Sequence, residues 1–391
     1  MSPDLDAVIV GGGPVGLLLA CLLKKRGLKF RVLEKRTQPI SHSAAIGITP
    51  PSLHILEKVG LVQKFIDAGV KVTHCHVHGR RGRIGCLSFG EIPDEHPFIL
   101  SLPQATTIAI LQQHLGSEWI ETGCEVSGLS QKADHCTVQA GGREMTARFV
   151  IGCDGRRGAV RKFTGIPARV HAYDLHFVMG DFVDHSGFGE EAHLFFTPTG
   201  SVESFPLPGG QRRWIVQTDR PLDQPPRCLV SQLTLPRTGI RIAEADQIDE
   251  SVFSFSPSRF NCPRYSSGRI VLCGDAAHGM SPIGGQGMNT GFADAEFLAE
   301  VLSQIDPFPL LRDYNRFRRK AAQAAISRAE WGMRLGTWRG SARSGLRDGI
   351  ISLLLNHSSI SARLGPFYAM LTIPFNTLAS VPCAGLKPDT A

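Results

Sequence analysis

Gly11, Gly13 and Gly16 follow the apolar run AVIV in the order G-x-G-x-x-G, with Pro14 among them. In that spacing the first glycine permits a tight turn and the second leaves room for a pyrophosphate against the backbone. The third lets the following helix pack close to the sheet. The helix start offers free N–H groups and a positive dipole to phosphates. Glu34 ends the next apolar segment, 23 residues after Gly11, where a carboxylate accepts hydrogen bonds from ribose hydroxyls. Lys35 and Arg36 follow it as further candidates. The chemistry is dinucleotide binding, and this motif alone does not choose between NAD and FAD. A glycine-rich turn with an incidental surface acid is the competing reading. It leaves the register of strand, turn, helix, strand and acid unexplained.

A second segment chooses. GRIVLCGDAAHGMSPIGGQGMNTGFADAEFLAEVL, residues 268–302, reads as a strand, an acid and a glycine-rich loop that opens a helix. Asp275 at the strand end suits a ribityl hydroxyl or a hydrated phosphate. Pro282, Gly284, Gly285, Gln286, Gly287, Met288 and Asn289 offer successive backbone N–H groups. Those suit the electron-rich pyrimidine edge of a reduced flavin. A capped helix with a flexible lead-in accounts for these glycines, but not for the acid and the loop together.

The elements that must position these residues follow from the pattern. Residues 7–10 read as a buried strand, 14–27 as a helix and 29–35 as a second strand, which is the βαβ order of a parallel sheet. Two short helices follow in PPSLHILEKVGLVQKFIDAG, and another after SLPQ. HCTVQAGGREMTARFVIGCDG reads as a hairpin and then a strand. Residues 173–218 alternate and turn often, as an antiparallel sheet does. The expected fold class is α/β with an α+β insert: a Rossmann-like FAD-binding fold, an inserted antiparallel β-sheet substrate domain and C-terminal helices. The expected FAD-binding domain is discontinuous (1–72, 101–170 and 260–325). The substrate domain takes 73–100 and 171–259, and the C-terminal helical region 326–391.

Composition narrows the partners. The 391 residues carry a formal net charge of +7, with 20% charged and 42% hydrophobic residues. That balance favours anionic ligands in general and does not point to nucleic acid. The basic clusters Arg80–Arg83, Arg156 to Lys162 and Arg316 to Lys320 read mainly as solvated surface, otherwise as attraction for an anionic cofactor. Ten cysteines include no C-x-x-C pair, so buried thiols in a reducing, cytoplasmic compartment are expected. No leader segment and no transmembrane run is read. The apolar, proline-broken stretch 347–385 reads as packing helices, with peripheral membrane contact as its alternative. A monomer or a homodimer is expected.

Three segments carry a resemblance: GGGPVGLLLACLLKKRGLKFRVLEKR, RFVIGCDGRRGAVRKFTG and GRIVLCGDAAHGMSPIGGQGMNTGFADA. In sequence, order and spacing they resemble the FAD-dependent aromatic hydroxylases, the para-hydroxybenzoate hydroxylase-like group A flavoprotein monooxygenases. The resemblance covers roughly residues 7–165 and 260–320. It implies that Glu34 binds the adenosine ribose and Gln104 the ribityl or pyrophosphate region. Asp154 then lies near the pyrophosphate with Arg161 beside it. Asp275 binds the ribityl chain, Pro282 borders the isoalloxazine, and Gly284 to Asn289 hold the ring. It further implies NAD(P)H as a transient reductant and O2 as co-substrate. A flavin C4a-hydroperoxide then hydroxylates an aromatic, phenolic or polyketide-like small molecule. Three positions depart from the family pattern. Ala44-Ala45 stands where Arg-Ala is usual, Gly158 where serine is, and Ile108 where an acid is.

The substrate pocket is expected between the antiparallel insert and the flavin. Candidates are Tyr173, His176, His193, Phe195, Glu203, Phe205, Trp214 and Gln217; strand phase is open by one residue, which decides the face, and plain core is the alternative. No side chain is assigned the chemistry outright. Pro282, His278, Tyr173 and His193 are the catalytic candidates, and His278 reads first as structural. His74, His76 and His78 alternate on one strand without a nearby acid, and Cys75 points to the other face, so no metal is expected. The alternatives on the same scaffold are a reductase without oxygen insertion, an epoxidase and a Baeyer–Villiger oxygenase. A halogenase lacks its W-x-W-x-I-P segment here, and a non-enzymatic nucleotide module leaves the ring loop unexplained.

Overall fold

A computed structural model describes residues 3–38, 45–248, 251–282 and 284–374. The expectations placed on Ala44, Ile283 and the end of the apolar tail lie outside them.

The strand Leu5–Val10 is the centre of the first sheet. Ala7, Val8 and Ile9 have no exposure at all, as a parallel strand covered on both faces requires. It pairs in parallel with Phe30–Glu34 on one side and Arg143–Gly152 on the other. Ile120–Thr122 and Ile270–Leu272 extend the parallel core outward. The hairpin expected before CDG is formed by Cys136–Ala140 and Arg143–Gly152, whose second arm runs on without a break as the strand ending at Gly152, and Val126–Gln131 adds antiparallel to Cys136–Ala140. The helix Pro14–Lys25 packs against the sheet and against the helix Gln286–Leu302. Pro14 at its first turn costs nothing, because the N–H it lacks has no partner there.

A second, seven-stranded sheet runs in the order Phe253–Phe255, His176–Val183, Gln211–Thr218, Gly200–Leu207, Ala192–Thr197, His74–Gly79, Gly82–Ser88. Its pairs are antiparallel except Ala192–Thr197 with His74–Gly79, which is parallel. Side chains alternate across it. Phe182, Phe195, Val202, Trp214 and Val216 form an outer core beneath the helix Leu229–Thr238. Leu194, Glu203, Phe205 and Ile215 face the other way.

The C-terminal third is helical: Phe308–Gly336, Ser341–Asn356 and Ser358–Tyr368. These helices lie over the inner face of the second sheet, where Met333, Ile351, Leu355 and Tyr368 enclose the space between sheet and helices. No helix among the described residues is long and apolar enough to cross a membrane.

Candidate functional site

One continuous cavity of about 1080 Å³ runs from the glycine turn to the inner face of the second sheet. Its first half is lined by Gly11, Gly13, Pro14, Glu34, Lys35, Arg36, Gln104, Asp154, Asp275, Pro282, Gly284, Gly285, Gly287 and Met288. All of these are sequence-derived candidates.

The local reasons are steric and electrostatic. Gly11 has φ +113°, and a Cβ there would lie 2.4 Å from the Cys153 carbonyl oxygen. A Cβ at Gly13 meets nothing within 4 Å; it would project into the groove. Gly16 does not line the cavity. Its missing side chain lets the helix close on Gly11, whose carbonyl oxygen a Cβ would approach to 2.1 Å.

Glu34 is fixed by the turn it serves: Oε2 accepts the Gly12 N–H at 2.7 Å and Oε1 accepts the Arg36 N–H at 2.9 Å. Each oxygen retains lone-pair capacity toward the groove. Asp154 Oδ2 accepts the Val160 N–H at 2.9 Å, while Oδ1 is buried without a partner among the described residues. Burial raises its carboxyl above the usual range, against the opposing backbone N–H groups. A Cβ at Gly158 would lie 2.1 Å from Oδ1, so a side chain at this departure from the family pattern would push the carboxylate aside. Arg161 holds the loop from behind, donating to Ala276 O at 2.8 Å and to Arg156 O at 2.5 Å. Arg156, Arg157 and Lys162 line the groove beside Asp154. Part of one basic cluster is therefore turned inward, toward an anionic ligand.

Asp275 opens onto the groove floor, where desolvation by the surrounding walls pushes its carboxyl up. Gly285, with φ +64°, is the N-cap of Gln286–Leu302, so that helix points its free N–H groups at the groove. Two of the loop candidates are placed behind it. Asn289 accepts the Thr49 N–H at 3.0 Å and donates to Gly47 O at 2.9 Å. Gln286 is fully buried, with both side-chain polar atoms unpartnered among the described residues. An open cradle at Gly13, an orphaned Asp154 oxygen, inward cations and a helix N-terminus together fit FAD.

The second half of the cavity is apolar. Cys75, Val77 and Leu87 come from one edge of the sheet, and Met179, Leu194, Phe205 and Ile215 from its centre. Of the substrate-pocket candidates, Phe205 and Glu203 line it. Phe195 and Trp214 face the outer core instead, because the strand phase differs by one residue from an inward placement. Gln217 is buried with its carboxamide oxygen on the Ser201 N–H at 3.1 Å. His176 lies 2.8 Å from Ser256 Oγ, and Tyr173 stacks edge-on against His171; neither lines the cavity.

His278 is fully buried, 2.6 Å from Asp294 Oδ2, away from the cavity. His193 sits on the outer face against Phe188. There the parallel pairing brings Glu191 and His193 beside the alternating histidines: His76 Nε2 is 2.6 Å from Glu191 Oε2, and His78 Nε2 is 3.0 Å from His193 Nδ1. His76, Glu191 and His193 offer ligand atoms within 4.8 Å of one another, so the acid that is distant in sequence is near in space. The C-terminal lining residues Trp331, Met333, Leu355 and Tyr368 were not sequence candidates; only the general apolarity of their segments signals them.

Residues 4–329 match the family described as FAD binding domain. The chain is 32% identical to an uncharacterized aromatic compound monooxygenase of Bacillus subtilis (strain 168), over 84% of this chain and 68% of that one. It is 30% identical to a rifampicin monooxygenase of Streptomyces venezuelae, over 82% and 69%. Among solved structures it is similar to the anhydrotetracycline hydroxylase OxyS of Streptomyces rimosus, with a TM-score of 0.79 at 27% identity, covering 98% of this chain and 78% of that one. The family match, the relatives and the groove agree: the chain belongs to the FAD-dependent aromatic hydroxylases, the group A flavoprotein monooxygenases.

Proposed function

We propose that the chain uses NAD(P)H and O2 to hydroxylate a flat, apolar aromatic small molecule, phenolic or polyketide-like. The observation that carries this reading is the continuity of the polar nucleotide groove with the apolar half of the cavity. When bound, FAD supplies activated oxygen. The chain's residues do the rest. Glu34, Gln104, Asp154 and Asp275 are assigned to FAD, with Gly284, Gly285, Gly287 and Met288 at its ring. Lys35, Arg36, Arg156, Arg157 and Lys162 offset the pyrophosphate charge. Leu194, Phe205 and Ile215 exclude water from the reacting ring. The relatives named as monooxygenases of aromatic and polyketide compounds support the same substrate class. We place the FAD-binding and substrate-binding domains at the boundaries expected from sequence, and the protein in the cytoplasm.

The test is product analysis under isotopically labelled dioxygen, with NADH or NADPH and a panel of one- to four-ring phenols. One labelled oxygen atom in the product, with reductant oxidised in equal amount, is the expected result. Reductant oxidation that yields only hydrogen peroxide or a reduced product with every compound would sink the reading in favour of a reductase or oxidase. Labelled epoxide or lactone would assign the two related oxygen insertions instead.

A further inference from the structure

Glu203 is out of place in its surroundings. It sits mid-strand in Gly200–Leu207, directly opposite Leu194 on one neighbouring strand and Ile215 on the other. All three line the cavity. Among the described residues lining the half built by the second sheet and the C-terminal helices, Glu203 is the only charged side chain. It is 6% exposed. No hydrogen bond or ion pair joins its carboxyl to a described residue. On that face of the sheet Arg213 pairs with Asp181, Nε to Oδ1 at 2.7 Å and Nη2 to Oδ2 at 2.8 Å.

A fold gains nothing from such a group. An unpaired buried carboxyl destabilises the protein whether it is charged or neutral. Its position is accounted for by a partner that arrives with the ligand.

We propose that Glu203 receives the hydroxyl of the substrate, accepting its hydrogen bond and then its proton, so that the chain acts on hydroxyl-bearing arenes and enols and not on their ethers. This rests on the hydroxylation reading above. The O–H bond breaks, its electron pair stays on oxygen, and the proton passes to a Glu203 carboxylate oxygen. The ring, made electron-rich, gives an electron pair to the oxygen atom delivered from O2. The ring carbon then loses its hydrogen as a proton when aromaticity is restored, and the original oxygen recovers its proton from Glu203. NAD(P)H is the reductant and the second oxygen atom leaves as water; the ring proton, the hydride and one proton from solvent together supply the hydrogens of that water and of the new hydroxyl.

The other titratable groups facing this space do not compete. Cys75, on His74–Gly79, and Tyr368, on Ser358–Tyr368, are both held neutral, their pKa values raised by burial. Burial alone pushes the Glu203 carboxyl up to about 7. It therefore exchanges a proton near neutral pH, where a general base is most effective.

The experiment uses the FAD-loaded chain, wild type and the Glu203→Gln and Glu203→Leu variants. The probes are p-nitrophenol, 2-naphthol and 1-hydroxyanthraquinone, each beside its methyl ether. Flavin absorbance reads binding, and the probe's own phenolate band reads ionisation in the site. Wild type is expected to prefer phenol over ether by at least about tenfold, the effect of one good hydrogen bond to a charged group. Wild type should also ionise the bound phenol at lower pH than the free compound. Both variants should retain FAD; Glu203→Leu should lose the preference, and both should lose the ionised band. Turnover of Glu203→Gln should fall by about 10²-fold or more with a flattened pH profile. Variants that keep the ionised band and the preference within about twofold overturn the assignment of Glu203 and leave the hydroxylation reading standing. If no phenol of the panel binds or is oxygenated by wild type, that reading falls, and the assignment with it.

Discussion

His278 Nε2 lies 2.6 Å from Asp294 Oδ2, and neither side chain has any exposure. The same carboxylate accepts Arg318 Nε at 2.7 Å and the Gly274 N–H at 3.2 Å. Burial pushes Asp294 up, but His278 and Arg318 outweigh it and hold the carboxyl below its usual range. The network ties the turn Gly274–Ala276, which carries Asp275, to the helices Gln286–Leu302 and Phe308–Gly336. His278 is thus a positioning residue for the groove floor. Asp294→Ala leaves an arginine buried without its carboxylate, which costs about 3–5 kcal/mol. The expected outcome is a lower melting temperature and easier release of FAD, read together by protein and flavin fluorescence. Wild-type melting and flavin content in that variant would contradict this role.

The two glycines that open the groove should separate folding from binding. At Gly11 the backbone is left-handed and a Cβ collides with the Cys153 carbonyl, so Gly11→Ala is expected to yield little folded protein. At Gly13 the backbone is extended, φ −76° and ψ 176°, and a Cβ meets only open space. Gly13→Ala should therefore fold with an apo melting temperature close to wild type. Its FAD affinity should fall by about tenfold or more, as expected for loss of close approach between pyrophosphate and backbone. Titration of the apoprotein with FAD checks both.

The groove was legible in sequence because its constraints are local. Turn glycines, a helix start and the acid ending the next strand lie within about thirty residues, the length of one βαβ unit. The substrate half was not legible, for two reasons. Its lining depends on strand phase, where one residue separates Leu194 from Phe195 and Ile215 from Trp214. It also depends on long-range closure. Glu191 reaches His76 only through a parallel pairing 115 residues apart, and Tyr368 reaches Cys75 across most of the chain. Neither leaves a periodic trace in either segment.

The phase difference is itself measurable. Trp214 is 2% exposed in the outer core, and Phe205 is half-buried on the cavity side. Trp214→Ala should cost about 3–5 kcal/mol in stability, with KM unchanged in the protein that remains folded. Phe205→Ala should cost less, because the cavity already borders it, and should move KM. Denaturant unfolding and steady-state kinetics on the two variants decide it. The opposite pattern would mean that the strand Gly200–Leu207 and its neighbour present their other faces.

Glu203 predicts a stability that falls as pH rises. In the unfolded chain its carboxyl titrates near the ordinary value of 4.5; in the fold, burial raises it to about 7. Between those values the folded state binds more protons than the unfolded state, so stability declines with pH. Below about 4.5 the carboxyl is neutral in both states and the charge penalty vanishes. Linkage puts the penalty at about 1 kcal/mol at pH 5.5 and about 3 kcal/mol at pH 8.5. Glu203→Gln has no charge to lose, and any cost of burying the amide is the same at both pH values. The difference in unfolding free energy between variant and wild type should thus shift toward the variant by about 2 kcal/mol from pH 5.5 to pH 8.5. Urea titrations at saturating FAD and the two pH values measure it. An unchanged difference would show that the Glu203 carboxyl titrates as an exposed one, and its burial between Leu194 and Ile215 in an apolar cavity would have to be given up.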